Sequence, residues 1–171
     1  MSNEQIKIEE NFLAPEYFEA LQQTMMGPGF QWYYNDSIDS FEDVDKFQFV
    51  HAFYQGSAPV TDSYEMMYPI LNILKATALY RIKANLQTRL PALVENEFHA
   101  DIGVLSEEKQ KQWTTSIFYV NTNNGYTIFK DGTKVESVAN RMVTFPSNLE
   151  HTGTSCTDEM IRVLINFNYF Q

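Results

Sequence analysis

The sequence has little of several features that would classify it at once. Its only cysteine is Cys156, which excludes an internal disulfide and predicts a reducing compartment, the cytoplasm. No stretch approaches 18 apolar residues, and the first residues show no signal-peptide pattern, so we expect neither a membrane span nor secretion. Basic residues number 12 against 22 acidic ones. The resulting net charge of −10 argues against nucleic acid as a partner, which requires clustered cations.

The composition nevertheless indicates a well-packed globular protein. Hydrophobic residues make up 44% and aromatic residues 15% of the 171 residues. A chain of this length can bury a core without disulfides or other cross-links, and we predict a single domain over residues 1–171. Three basic residues, Arg81, Lys83 and Arg89, lie close together and are the one candidate for a local basic groove.

The chain has only three histidines, and two of them lie in a pattern typical of a metal site. In His99-Ala100-Asp101 the imidazole and the carboxylate are separated by one residue. We predict a strand over 98–104, in which both side chains leave the same face about 6.5 Å apart at the backbone. Two imidazoles and one carboxylate are the set that holds a non-haem iron, and His151 is the second imidazole.

His151 has to reach the first two residues from a different strand. The intervening sequence contains Asn124-Gly125 and Asp131-Gly132, which are both typical of two-residue hairpin turns. We therefore predict an antiparallel meander over 113–138 that turns the chain back toward His99.

A buried cation is predicted near the C-terminus. From Met160 to Asn168 apolar and polar residues alternate, which places Arg162, Leu164, Asn166 and Asn168 on one face of a strand. A guanidinium among apolar residues is costly unless it binds an anion. We interpret Arg162 as an anion-binding residue, and the alternatives are an edge-strand charge or a salt bridge to an acidic neighbour.

The remaining pattern predicts a mainly β (α+β) chain with helices before most of the strands. Helices are expected from about Ala14 to Met26 and from Asp62 to Thr77, and the acidic stretch Asp36–Asp45 is expected to be a solvated loop. Strands are predicted at 5–13, 30–34, 47–54, 79–88, 98–104, 113–121, 126–130, 133–138, 141–146, 149–153 and 160–169. The last eight indicate a double-stranded β-helix, the cupin-like jelly roll, with the N-terminal helices packed on one sheet.

In order and spacing these segments resemble the Fe(II)/2-oxoglutarate-dependent dioxygenases of the prolyl-4-hydroxylase-like branch, including bacterial and phage forms. The resemblance spans most of the chain. Its motifs are the N-terminal helix, Arg81-Ile82-Lys83-Ala84-Asn85-Leu86, Phe98-His99-Ala100-Asp101, Phe118-Tyr119-Val120-Asn121, Val143-Thr144-Phe145-Pro146, His151-Thr152-Gly153 and Arg162.

The resemblance implies Fe(II) held by His99, Asp101 and His151, with 2-oxoglutarate chelating the iron. The far carboxylate of 2-oxoglutarate would pair with Arg162 and accept a hydrogen bond from the Tyr119 hydroxyl. It also implies a dioxygenase that uses O2, hydroxylates its substrate and releases succinate and CO2. A prolyl or other side chain of a peptide, or a small molecule, is the implied substrate.

The chain departs from the family pattern at two places. Many relatives carry a cosubstrate-binding tyrosine on the strand before His-x-Asp, where this chain has Asn85 and Gln87. We predict Asn85 as a substitute hydrogen-bond donor, with a purely structural role as the alternative. Arg162 also follows His151 by eleven residues, slightly more than in several relatives, because residues 155–158 lengthen the turn.

Two other functions fit the same residues. A cupin-type isomerase or epimerase would use the same metal ligands without 2-oxoglutarate, and a metal-binding jelly-roll protein would carry no chemistry at all. Fold alone does not decide among these three, because one fold hosts many functions.

Overall fold

The computed structural model describes residues 5–38 and 46–171. Its strands are β1 (Lys7–Glu9), β2 (Tyr33–Asn35), β3 (Gln48–Gln55), β4 (Ala58–Pro59), β5 (Ala78–Thr88), β6 (Thr114–Tyr119), β7 (Tyr126–Phe129), β8 (Lys134–Glu136), β9 (Arg141–Pro146), β10 (His151–Gly153) and β11 (Ile161–Phe170). A large sheet has the order β1-β9-β6-β11-β5-β3-β2, with β4 paired to β3. A smaller sheet has the order β10-β7-β8. All paired strands are antiparallel.

Helices cover one face of the large sheet. Helix α1 (Pro15–Met26) begins with proline in its first turn and buries Leu21 and Met25, and a 3-10 helix (Asp62–Met67) leads into α2 (Tyr68–Leu74). Their apolar residues pack against inward-facing side chains of β3, β5, β6 and β11, such as Phe167. This arrangement confirms the predicted jelly roll with helices packed on one sheet.

A second apolar cluster lies between the two sheets. It contains Ile117, Tyr119, Phe129, Val135, Val143, Phe145 and Leu164. On β11, Val163 and Ile165 join the helix-side core while Leu164 points to the opposite face. The alternation predicted for this strand is therefore confirmed, and the face that carries Arg162 is turned away from the helices.

Two predicted elements are wrong in the structure, and a third is helical but divided in two and shorter. Residues 98–104 do not form a strand: only His99 makes a β-bridge, and a turn begins at Asp101. Asn124-Gly125 does not close a hairpin, because β6 belongs to the large sheet and β7 to the small one. The predicted helix over 62–77 is a 3-10 helix followed by a short α-helix that ends where Lys75 adopts a positive φ of 53°.

Other elements agree in kind and differ in their ends. The hairpin at Asp131-Gly132 is confirmed between β7 and β8, with Gly132 at φ 89°. The strand predicted at 5–13 is limited to β1, and the structure adds β4 and the short helix α3 (Glu107–Gln110). Most of the predicted acidic loop, 39–45, lies outside the described residues. No helix in the described part of the chain is long and apolar enough to cross a membrane.

Candidate metal centre

His99, Asp101 and His151 converge on one point. One potential ligand atom from each residue lies within 4.8 Å of the other two. The backbones of His99 and His151 exchange two hydrogen bonds of 3.0 Å, which sets their ring centroids 5.1 Å apart. The Asp101 carboxylate lies 3.8 Å from Nε2 of His99 and 4.0 Å from Nε2 of His151. The predicted trio is thus assembled, although a bridge and a turn hold its first two members instead of a strand.

Backbone carbonyls set the protonation of both imidazoles. Nδ1 of His99 lies 3.1 Å from the carbonyl oxygen of Glu97, and Nδ1 of His151 lies 3.0 Å from that of Leu149. A carbonyl oxygen only accepts, so each Nδ1 carries the proton and donates it. In the neutral form of each imidazole the lone pair then lies on Nε2, on the side of Asp101, which is the form that a metal ligand requires.

Burial and neighbouring charges lower the pKa of two members of the cluster, His151 and Asp101. Burial lowers the pKa of His151 from its ordinary value, because the apolar surroundings disfavour the imidazolium. Burial by itself raises the pKa of Asp101, whose side chain is 3% exposed. The charges of His151, Arg81 and His99 and a hydrogen bond from Asn168 outweigh that effect and hold the pKa of Asp101 below its ordinary value.

A cavity of about 310 Å³ opens beside the three residues. One wall comes from alternate residues of β5 and β11, which are paired so that Gln87 faces Arg162 and Asn85 faces Leu164. The same wall includes Arg81, Lys83 and Asn166, and the rest of the lining includes Asn96, Thr127 and Gly153. The three candidate metal ligands and the predicted anion-binding arginine therefore share one space.

Unpartnered buried polar atoms are concentrated in this cavity. Within the described ranges, five buried side-chain nitrogen or oxygen atoms have no hydrogen-bond partner. Four of them belong to residues that line the cavity: Nη2 of Arg162, Oδ1 of Asn85, Oε1 of Gln87 and Oδ1 of Asn166. Leaving a buried polar group unpaired costs about 1–3 kcal/mol. The arrangement fits a space that receives a polar ligand, and Arg162 offers that ligand a cationic donor.

Arg162 is held in place by contacts along its whole length. It is 3% exposed, and its Nε donates a 2.9 Å hydrogen bond to Oγ of Ser137. Two glycines leave room for it, since a β-carbon at Gly125 would lie 2.7 Å from its Cδ and one at Gly153 would lie 3.2 Å from its Nη1. Its pKa is lowered by burial, which is the cost of a buried charge without an anion.

The other predicted contacts to 2-oxoglutarate have mixed placements. Asn85 and Gln87 both line the cavity. Tyr119 is fully buried between the sheets, and its hydroxyl donates a 2.7 Å hydrogen bond to Oγ1 of Thr127, which does line the cavity. The Tyr119 ring also lies 5.9 Å from the guanidinium carbon of Arg162. The roles of Tyr119 and Asn85 stay predictions.

The sequence reasoning missed residues that support the site from behind. Ser137 and Asn168 contact Arg162 and Asp101, respectively, and both are buried polar residues. The alternation of β11 placed Asn168 on the same face as Arg162, so the sequence did contain a signal for Asn168. Ser137 lies beyond the end of β8 and is joined to Arg162 only by the packing of the two sheets.

Comparison with known proteins finds matches among solved structures only. No protein-family model matches the chain, and no curated protein matches it. Solved structures do match: a prolyl hydroxylase from Trichoplax adhaerens, in complex with a hypoxia inducible factor oxygen degradation domain peptide fragment, has a TM-score of 0.69 at 14% identity, over 98% of this chain and 84% of that one.

Two further structures come from bacteria. An oxidoreductase of the 2OG-Fe(II) oxygenase family from Burkholderia pseudomallei has a TM-score of 0.69 at 7% identity, over 98% of this chain and 86% of that one. HygX from Streptomyces hygroscopicus, with nickel, 2-oxoglutarate and hygromycin B bound, has a TM-score of 0.62 at 10% identity, over 99% of this chain and 87% of that one. This chain has the fold of those oxygenases. At such identities the likeness extends to the fold alone.

Proposed function

We propose that the protein is an Fe(II)- and 2-oxoglutarate-dependent dioxygenase. The observation that carries this proposal is that two kinds of site meet in one cavity. A trio of two imidazoles and one carboxylate, His99, Asp101 and His151, offers ligand atoms within 4.8 Å of one another, and the buried Nη2 of Arg162 has no partner in the same space. This donor set suits a non-haem iron with open positions.

Each residue has a defined task in this function. His99, Asp101 and His151 hold Fe(II) through Nε2 atoms and the carboxylate, and Arg162 binds the far carboxylate of 2-oxoglutarate through its guanidinium fork. Asn85 lies on β5 opposite Leu164 of β11 and supplies an amide to the same ligand. Tyr119 acts on the ligand directly or through Thr127, which accepts its hydroxyl hydrogen bond. When bound, Fe(II) and 2-oxoglutarate supply the oxidising chemistry, in which O2 hydroxylates the substrate with release of succinate and CO2.

The alternatives leave the arginine unexplained. A cupin-type isomerase or a non-catalytic metal protein needs the three metal ligands but no buried guanidinium beside them. Keeping a buried cation without an anion is costly, so the presence of Arg162 in the cavity favours a dicarboxylate ligand. The partners of the enzyme are then 2-oxoglutarate, O2 and a peptide or small-molecule substrate, and the predicted cytoplasmic location stays a prediction.

An anaerobic titration tests the proposal without knowledge of the substrate. Fe(II) followed by 2-oxoglutarate is expected to give a weak visible charge-transfer band that saturates with 2-oxoglutarate. His99→Ala removes one ligand and is expected to abolish the band. Glu97→Gln is the matched control, because the Glu97 side chain is exposed and the substitution keeps the backbone carbonyl that contacts His99. A wild-type protein that is folded yet shows no band contradicts the proposal.

Turnover provides the second test. Succinate formation is measured with 2-oxoglutarate, Fe(II) and O2, first without substrate and then with panels of peptides and small molecules. Slow succinate release without substrate is expected, and a true substrate raises the rate. Metal-dependent isomerisation that continues in Arg162→Ala, without any succinate, would support the cupin-type alternative instead.

A further inference from the structure

Asn168 is a fully buried side chain that contacts the proposed metal ligand Asp101. It lies on β11, and its Nδ2 donates a 3.0 Å hydrogen bond to Oδ2 of Asp101. Asp101 itself lies in a turn outside the named strands, so its own backbone is not held by a strand ladder. The contact with β11 ties the carboxylate of this turn to the centre of the large sheet.

Arg81 completes the contact from the neighbouring strand. Arg81 and Asn168 are directly paired across β5 and β11, and Nε of Arg81 donates to Oδ1 of Asn168 at 3.3 Å. Nη2 of Arg81 lies 3.5 Å from Oδ1 of Asp101. Each carboxylate oxygen therefore faces one member of a pair whose members are bonded to each other. Rotation of the carboxylate would disrupt both contacts.

The orientation of the Asn168 amide is itself determined by its neighbours. Its Nδ2 also donates to Oγ1 of Thr115 at 3.1 Å, and Thr115 shares a 2.8 Å hydrogen bond with Ser147. Both amide hydrogens are thus used, one on Thr115 and one on Asp101, while the amide oxygen accepts from Arg81. The reversed amide would direct its oxygen at a carboxylate and its nitrogen at a guanidinium, and both contacts would be repulsive.

We propose that Asn168, with Arg81 and Thr115, is a positioning residue that fixes the Asp101 carboxylate for the metal before the metal arrives. The inference rests on the proposed function, in which Asp101 is a ligand. Partners behind a metal ligand commonly change metal affinity about 10- to 100-fold when they are removed. We expect an effect of that size for Asn168, although it does not belong to the metal-ligand trio.

The test measures Mn(II) affinity by electron paramagnetic resonance in the absence of 2-oxoglutarate. Asn168→Leu keeps the branching of the side chain and removes all three hydrogen bonds of the amide, and it is expected to weaken Mn(II) binding about 10- to 100-fold. Asn72→Leu is the matched control: it is the same substitution at an exposed asparagine of α2, which does not line the cavity. It is expected to change the affinity less than twofold.

A second control separates positioning from general destabilisation. Val163→Ala removes volume from the helix-side core of the same strand and lowers stability without touching Asp101. Only Asn168→Leu is expected to alter the line shape of bound Mn(II), which reports the symmetry of the ligands. If Asn168→Leu melts below the assay temperature in EDTA, Thr115→Val decides, since it releases the amide with little volume change and is expected to weaken binding several-fold.

The outcomes distinguish the two proposals. Failure of the wild-type protein to bind Mn(II) overturns the proposed function and the inference together. Normal binding in the wild type with unchanged affinity and line shape in folded Asn168→Leu overturns the positioning role alone, and unchanged affinity in Thr115→Val does the same when the leucine variant does not fold.

Discussion

Gly125 and Arg162 lie so close that a β-carbon at position 125 would come within 2.7 Å of Cδ of the arginine. The same β-carbon would lie 2.8 Å from the backbone oxygen of Ser155, which has little freedom to move. It would also lie 2.8 Å from Oδ1 of Asn123, and we expect Gly125→Ala to displace Arg162 from the cavity wall. We expect the Kd for 2-oxoglutarate, measured by the visible band, to rise about tenfold or more, as for loss of part of a buried charged contact.

The control for this substitution is Gly29→Ala. A β-carbon at Gly29 would meet no atom within 4 Å, so 2-oxoglutarate affinity is expected to stay at the wild-type value. Equal affinity in Gly125→Ala and wild type would mean that Arg162 does not anchor the ligand in this position.

Asn121 holds the backbone on both sides of Arg162. Its Nδ2 donates to the carbonyl oxygen of Ile161 at 2.8 Å, and its Oδ1 accepts from the backbone N–H of Val163 at 2.9 Å. Asn121→Leu leaves both backbone groups buried without that partner, and we expect a loss of about 1–3 kcal/mol in the free energy of unfolding. The Kd for 2-oxoglutarate is expected to rise as well, because Arg162 is less firmly held.

Chemical denaturation and the visible band measure the two effects separately. Asn121→Asp keeps the acceptor for Val163 but buries a carboxylate and turns one of its oxygens toward the carbonyl oxygen of Ile161, so its stability is expected to fall at least as far as that of the leucine variant. Wild-type stability in Asn121→Leu would show that the two hydrogen bonds contribute nothing to the position of β11.

The sequence identified His99 and Asp101 as candidate metal ligands because their signal is local. His99 and Asp101 are separated by one residue, and the period of β11 places Arg162 on a polar face. The local conformation at 98–104 could not be read in the same way, since alternation over a short run fits a turn as well as a strand. What joins His99 to His151 is a single β-bridge between distant parts of the chain.

The contacts behind the site were beyond sequence reasoning for a physical reason. Asn121 lies 42 residues from Val163, and Asn168 lies 67 residues from Asp101, so each contact depends on how β5, β6 and β11 pair. Asn124-Gly125 gave the converse error, in which a local signal predicted a hairpin that the sheet pairing does not form. Its glycine serves the close approach of Arg162 and Ser155, whereas the sequence signal indicated a two-residue hairpin.

Two buried tyrosines predict a loss of stability at alkaline pH. Burial raises the pKa of Tyr119 and of Tyr169 above the ordinary value of 10.0. Above that pH the unfolded chain loses phenolic protons that the folded chain keeps, so the unfolded state binds fewer protons and stability falls as pH rises. The stabilisation is complete below about pH 10 and is lost toward the raised pKa values of the folded state.

Urea denaturation at pH 8 and pH 10.5 measures this effect. The wild type is expected to lose stability between the two values, and the variant with both Tyr119→Phe and Tyr169→Phe is expected to lose distinctly less. Tyr17→Phe, at a tyrosine that is 62% exposed, is the control and should follow the wild type. The same decrease in the double variant and the wild type would assign the alkaline sensitivity to other groups.

The role of Arg162 predicts a change in which 2-oxoacid the protein prefers. Pyruvate carries the carboxylate and keto group that chelate iron but lacks the far carboxylate of 2-oxoglutarate. In Arg162→Met we expect the affinity for 2-oxoglutarate to fall by about one to three orders of magnitude, while the affinity for pyruvate stays within a few-fold of the wild type. The preference for 2-oxoglutarate should therefore disappear. Arg162→Lys, which keeps the charge but not the fork, should retain part of it.

Thermal melting in EDTA tests whether the change in 2-oxoacid preference reflects ligand binding or a loss of stability. In the ligand-free protein, replacing a buried and unpaired charge with an apolar side chain of similar length is neutral or stabilising, so Arg162→Met is expected to melt at or above the wild-type temperature. Addition of 2-oxoglutarate with Mn(II) should then raise the melting temperature of the wild type more than that of the variant. Equal shifts in the two proteins would place the far carboxylate away from Arg162 and remove the central support for the proposed cosubstrate.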